Sequence, residues 1–286
     1  MNKLKFLAMP MALLLVLSAC EKDSGDTDLI EPQTVEESAT PEITLEVTED
    51  VINVLKDNYF NVGDVKVVNF YLPDGSVEQR FQIEDDITFS MDQIELLREV
   101  AKSSKNYHTN NLVNPGTLTI IGYTGGGGFG LSNKERTALQ WAVNNYNRLN
   151  LTITLSLTFG TNYQDKDMVV YHNPNQSGSG GSAGFPSNGN PNKFIQIYGL
   201  DNFSTNVNEH VITHEIGHSV GFRHTDWFSR QSCGDNINEG VGSIGANPIP
   251  GTPEGYDPTS LMLACFSTSE DGEFNNNDIT ALRYLY

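Results

Sequence analysis

The spacing of apolar residues changes several times along the chain, and each change marks an element. From Asp64 to Ser90, "DVKVVNFYLPDGSVEQRFQIEDDITFS", apolar and polar positions alternate around an Asp74-Gly75 pair, which predicts a β-hairpin. From Met91 the period becomes helical, with Ile94, Leu97 and Ala101 on one face. "TLTIIGYT" from Thr117 reads as a buried strand, and the glycine run Gly125 to Gly128 ends it in a loop. Ser132 with Glu135 three residues on is a capping-box start. The apolar face that follows, Ala138, Leu139, Ala142, Val143, Tyr146 and Leu149, predicts a long helix. "LTITLSLTF" and "DMVVYHN" are two short strands. Between Asn173 and Asn192 the chain is uncharged and rich in Asn, Gly, Ser and Pro, so an exposed loop is expected, with a short edge strand near "SAGFP". "KFIQIYGL" returns as a strand, and a further helix starts near Ser204 or Thr205. No internal repeat is present.

The first twenty residues follow a different rule. Lys3 and Lys5 precede a short apolar stretch from Phe6 to Leu17, then small residues and Cys20, which is the pattern of an export signal too short to span a bilayer. The ending Leu17-Ser18-Ala19-Cys20 resembles the lipobox of bacterial lipoproteins. The resemblance implies removal of residues 1–19 and lipid on Cys20, placing the protein in the cell envelope at the outer membrane or cell surface. "EKDSGDTD" resembles the surface-export signals of some Bacteroidetes-type lipoproteins, and an acidic solvated tether explains it equally well. Residues 20–45, with few large apolar groups, are expected to be a flexible tether. Residues 46–112 form a small α+β region that carries no sign of an active site, either a removable propeptide that blocks the cleft or a spacer. The remainder, 113–286, is one larger domain.

Charge and cysteines narrow the class. Formal net charge is −19, and loss of Lys3 and Lys5 with the signal leaves 15 basic and 36 acidic residues, a balance that repels nucleic acid and anionic headgroups. With Cys20 assigned to lipid, only Cys233 and Cys265 remain. An even pair in an exported chain reads as a disulfide, with two buried thiols as the alternative.

The chemistry concentrates in "HEIGHSVGFRHTD", His214 to Asp226, which holds three of the six histidines. Four residues apart on a helix, His214 and His218 can present imidazoles to one ion, with Glu215 beside them facing a metal-bound water. A further four-residue step moves about 6 Å along the axis, so the third ligand cannot come from the same helix; that argument excludes His210. Gly221 is the residue best able to end the helix in a left-handed turn, which brings His224 back toward the ion. Three histidines with water in the fourth place describe a catalytic zinc site, with Glu215 as general base. His108, His172 and His210 are expected to be ordinary histidines.

The pattern HExxHxxGxxH is that of the metzincin zinc peptidases, and Met262 in "TSLMLACF" resembles their methionine turn. "HEIGH", with "YHTNNLV" before the first strand, more closely resembles the HEIGH-type metallopeptidases of bacterial lipoproteins. The resemblance covers Val113 onward. It implies an α+β fold with a twisted mixed sheet, a long backing helix, an active-site helix carrying one zinc ion, and the turn at Met262. "GGSAGFPSNGNPNKFIQIYG" is similar to the matrixin segment that ends in an edge strand, along which a peptide or protein substrate would lie extended. Some departures bear on mechanism. Ala264 stands where some metzincins carry a tyrosine, and Tyr256 is only a distant substitute. A cysteine switch is excluded, since Cys20 alone precedes the catalytic region. "FNVGD", ending at Asp64, is similar to the aspartate switch of astacin propeptides but one residue too long, and reads as a turn before a strand. The loop from Asn173 lacks the acidic residues that bind calcium in matrixins, so calcium finds no support. The reading is an exported, membrane-anchored zinc endopeptidase. The alternatives are a zinc-containing binding or adhesion lipoprotein and an enzyme that cuts only its own N-terminal segment.

Overall fold

In the computed structural model, residues 44–286 are described except 59, 102–111, 239–248 and 254. The segment read as an export signal, Cys20, the expected tether as far as residue 43, and His108 lie outside the described residues. The elements are α1 (Glu49–Asp57), β1 (Lys66–Tyr71), β2 (Val77–Ile83), β3 (Ile87–Phe89), α2 (Met91–Ala101), β4 (Gly116–Tyr123), α3 (Asn133–Asn147), β5 (Ile153–Gly160), β6 (Met168–His172), β7 (Gly180–Ser182), β8 (Phe194–Tyr198), α4 (Thr205–Val220) and α5 (Asn276–Leu285).

β4, β5, β6 and β8 pair in parallel and β7 closes the edge antiparallel to β8, in the order β5-β4-β6-β8-β7. Buried on both faces, β6 is a nearly unbroken apolar run, as a central parallel strand requires. α3 begins with the expected capping box, in which Ser132 Oγ accepts from Glu135 N and the Glu135 carboxylate accepts from Ser132 N. Its apolar face, Ala138 to Leu149, is buried in the main core together with Ile195, Ile197, Ile212 and Ile216. α4 packs against α3 and is buried from Val207 to Val220, which explains why its sequence shows so little amphipathic periodicity.

The N-terminal elements build a three-stranded antiparallel sheet, β1-β2-β3. The hairpin turn falls where Asp74-Gly75 predicts it, with Gly75 at φ 85° and Asp74 Oδ1 accepting from Ser76 N at 2.9 Å. α1, which alternation did not reveal, is capped by Thr48 and packs with α2 on this sheet. Phe185, from the loop between β7 and β8, completes the small core beside Phe60 and Phe89. On another side Tyr71 O accepts from Tyr171 Oη (2.7 Å) and Gln196 Nε2 (3.0 Å). Residues Ile43 to Tyr286 thus make a single compact unit. Among the described residues no helix is long and apolar enough to cross a membrane.

Cys233 and Cys265 form a disulfide, as expected from the even pair. It closes a loop spanning 32 positions, for which loop-closure entropy suggests about 3–4 kcal/mol of stabilisation. Reduction, or Cys233→Ser with Cys265→Ser, is expected to lower the thermal midpoint by several degrees, measured by calorimetry. An unchanged midpoint would show that the bond adds nothing to stability.

Candidate metal centre

α4 carries His214 and His218 one turn apart, and their ring centroids lie 4.5 Å from each other. Ser204 caps the helix at its start, and Gly221 ends it in the left-handed region at φ 113°. Phe222 N then donates back to Gly217 O at 2.8 Å, which reverses the chain and brings His224 to 4.9 Å from His218 and 5.3 Å from His214, ring to ring. The three histidines read from the motif therefore meet in space. His210 and His172 stand apart from them: His172 Nδ1 lies 2.8 Å from Glu135 Oε1, and His210 lines the neighbouring cavity wall.

Backbone carbonyls set the direction of two rings. His214 Nδ1 is 3.0 Å from Leu261 O and His218 Nδ1 is 2.7 Å from Phe222 O. A carbonyl only accepts, so both Nδ1 atoms must be protonated, and each neutral ring turns its Nε2 lone pair inward. Burial, with His214 alongside, lowers His218 to about 4 and keeps it neutral at physiological pH. His218 Nε2 is buried without a hydrogen-bond partner among the described residues. Inward lone pairs and an orphaned buried nitrogen fit a divalent cation, and the histidine-rich donor set suits zinc.

The group has a fourth member. Asp86, in the turn between β2 and β3, places Oδ2 2.9 Å from His224 Nε2, 3.7 Å from His214 Nε2 and 3.9 Å from His218 Nε2. One ligand atom from each of the four residues lies within 4.8 Å of the others. Burial opposes the charge on Asp86, but the surrounding imidazoles more than offset it and hold the carboxyl well below its ordinary value. The N-terminal region, whose sequence carries no sign of an active site, thus contributes one residue to the group. Asp64 is an exposed residue before β1, in keeping with an ordinary turn, and it is not part of the group. The only trace of Asp86 in the sequence is that Glu84-Asp85-Asp86 interrupts an apolar alternation.

Glu215 is 2% exposed, and Oε2 finds no hydrogen-bond partner among the described residues. Burial first, and the nearby Asp86 carboxylate second, push its carboxyl well above the usual range. Gly181 on the edge strand gives it room, since a Cβ there would fall 2.5 Å from Glu215 Cγ. Beside the group opens a cavity of about 420 Å³, bounded by Tyr198, His210, His214, Glu215, Leu263 and Phe266. Tyr256 does not line it.

The methionine turn lies under the helix. Asp278 on α5 accepts from Ser260 Oγ (2.7 Å) and Leu261 N (2.9 Å), which presents Leu261 O to His214. Met262 packs so closely that a Cβ on Gly217 would sit 2.5 Å from its sulfur, so the glycine of HEIGH is a packing requirement. Asp226, two residues past His224, accepts from Ser232 N, Ser232 Oγ and Ala264 N at 2.7–3.0 Å and ties the segment after the third histidine to the methionine turn. Neither Asp226 nor Asp278 had a role in the sequence reading.

Residues 81–286 match the sequence profile of the dual-action HEIGH metallo-peptidases. The chain belongs to that family. It is accordingly a metallopeptidase, and the group of three histidines and Asp86 could hold the metal ion of such a hydrolase. Among solved structures, two of myroilysin are similar at 13% and 14% identity, each covering 64% of this chain and 89% of that one with a TM-score of 0.40. High choriolytic enzyme 1, a hatching-enzyme zinc protease of the medaka Oryzias latipes, is 15% identical over 64% of this chain and 97% of its own, with a TM-score of 0.37. No curated protein of similar sequence was found.

Replacing Gly217 by Ala in this metallopeptidase should improve helix propensity by about 1 kcal/mol yet force Met262 aside at about 1–3 kcal/mol. The expected outcome is a net loss of roughly 1 kcal/mol in urea unfolding together with weaker zinc binding. A stabilised variant with unchanged affinity would show that the methionine does not support the histidines.

Proposed function

We propose that the protein is an exported zinc endopeptidase, anchored in the cell envelope by lipid on Cys20, that cuts extended peptide segments with Glu215 as general base. The observation that carries this reading is a buried carboxylate with a free oxygen beside three convergent imidazoles. His214, His218 and His224 would hold the zinc. Zinc bound there supplies a Lewis acid for the scissile carbonyl and lowers the pKa of water toward ~7. Glu215 takes the proton of the attacking water and passes it to the leaving amine. Its burial suits the second half of that task, because it raises the carboxyl's pKa and so favours the protonated form. A substrate strand would pair with the outer edge of β7, bringing one peptide bond over the histidines and directing a neighbouring side chain into the cavity between α4 and Phe266.

The fourth group supports a second reading. Four protein ligands around zinc describe a closed structural site, which suits a binding or adhesion lipoprotein without turnover. Glu215 favours the peptidase, since a structural site has no use for a buried carboxylate that makes no ligand contact.

Cleavage of a mixed peptide library, before and after limited proteolysis of the protein, tests the choice. Glu215→Ala is expected to lower the rate by about 10³-fold with zinc content unchanged. Chelation should abolish cleavage and added zinc restore it. If no treatment yields cleavage, or the variant cuts as well as the wild type, the binding reading stands. Separately, Cys20→Ala should lose labelling by radioactive palmitate and leave the membrane fraction; a variant still labelled would remove the lipid anchor from the proposal.

A further inference from the structure

An acidic residue from outside the catalytic motif points into the metal group, and the strand that carries it lies along the edge a substrate would use. We propose that the β2–β3 turn is a built-in inhibitor of the peptidase: Asp86 takes the coordination position that water needs, and Ile87 and Thr88 occupy the substrate's edge. This deepens the peptidase reading and rests on it.

Proton positions carry the first part. The inward Nε2 atoms of His214 and His218 are acceptors, fixed as such by the carbonyls behind them, and Asp86 Oδ2 is an acceptor facing both at 3.7 and 3.9 Å. Apart from the 2.9 Å contact between Asp86 Oδ2 and His224 Nε2, which a proton bridges, these acceptors repel one another in the buried site until a cation lies among them. The arrangement therefore suits a four-ligand closed shell, with the water position filled by protein.

Backbone pairing carries the second part. Ala183 directly follows β7, and it pairs in parallel with Ile87: Ala183 N donates to Asp86 O at 3.0 Å and Thr88 N donates to Ala183 O at 2.8 Å. A peptide substrate needs those same edge groups. The pairing also explains why the turn would not be cut. Its backbone carbonyl at Asp86 is engaged by Ala183, so what faces the histidines is a side-chain carboxylate with no scissile bond.

The turn is held by contacts at the site itself. Glu84 and Asp85 are consecutive non-glycine residues with positive φ, 52° and 68°, a conformation that surrounding contacts must maintain. The fully buried Glu84 carboxylate accepts from Arg223 Nη2 at 3.1 Å, and Arg223 directly precedes the third histidine. Arg230 reaches Glu84 O at 3.3 Å and Asp85 Oδ2 at 3.4 Å. The family match begins at Phe81 and so includes this turn, whereas α1 and β1 lie outside it.

The test uses the full-length protein loaded with cobalt(II), whose visible absorption reports the ligand set, with acetohydroxamate as the probe for an open coordination position. The wild-type spectrum is expected to be unmoved by millimolar acetohydroxamate. In Asp86→Ala the spectrum should shift on its own and respond to the probe, and kcat/KM for peptide cleavage should rise on the order of 100-fold, as it would if about 1% of wild-type molecules are open. Asp86→Asn keeps the shape and removes the charge, and serves the same comparison if the alanine variant fails to fold. A wild-type spectrum that responds to acetohydroxamate as strongly as the variants overturns the inhibitor, whatever the activity. The expected spectra with no cleavage by any variant uphold Asp86 as a ligand and place the failure with the peptidase reading instead.

Discussion

Two hydrogen bonds from imidazole Nδ1 atoms to backbone carbonyls organise this molecule around one point. Leu261 O and Phe222 O each fix a proton on the outer side of a ring, and the lone pairs of His214 and His218 are thereby directed inward. The demand passes outward from there. Leu261 is held by Asp278 on the last helix, and Phe222 O is placed by the left-handed turn at Gly221. A helix that carries such rings must be buried almost all round, so α3 on one side and the methionine turn on the other pack against α4 closely enough to require glycine at position 217.

That burial sets the chemistry available. The low-dielectric surroundings that keep His218 neutral also raise the carboxyl of Glu215. One environment therefore suits both the proposed metal ligand and the proposed proton shuttle, with opposite consequences for an imidazole and a carboxylic acid. It also makes a charged group in the same space costly unless it faces a cation, which is why the approach of Asp86 to all three rings carries meaning beyond proximity.

The N-terminal elements are joined to the catalytic ones through contacts that cross between sheets. Phe185 enters the small core, Tyr71 O is bonded by Tyr171 and Gln196, and Glu84 is buried against Arg223. A segment attached this broadly leaves the cleft only through a concerted separation, and its tip is held as firmly, by Arg223 and Arg230 on Glu84 and Asp85.

The HExxH motif, the backing helix, the succession of strands and helices along the chain, the glycine stop and the disulfide were all legible in the sequence, because each rests on local spacing or on a count. His214 and His218 are four apart on one helix, the capping box spans three residues, and the two cysteines left after Cys20 admit one pairing. Asp86, Asp226 and Asp278 were not legible. Each acts across long sequence separations, Asp86 against rings 128 to 138 residues away, and nothing in the local pattern of an acidic turn says which cavity it will face. Tertiary structure decided that, since direction in space follows from how two sheets pack, and periodicity along a chain records only the face on which a side chain lies.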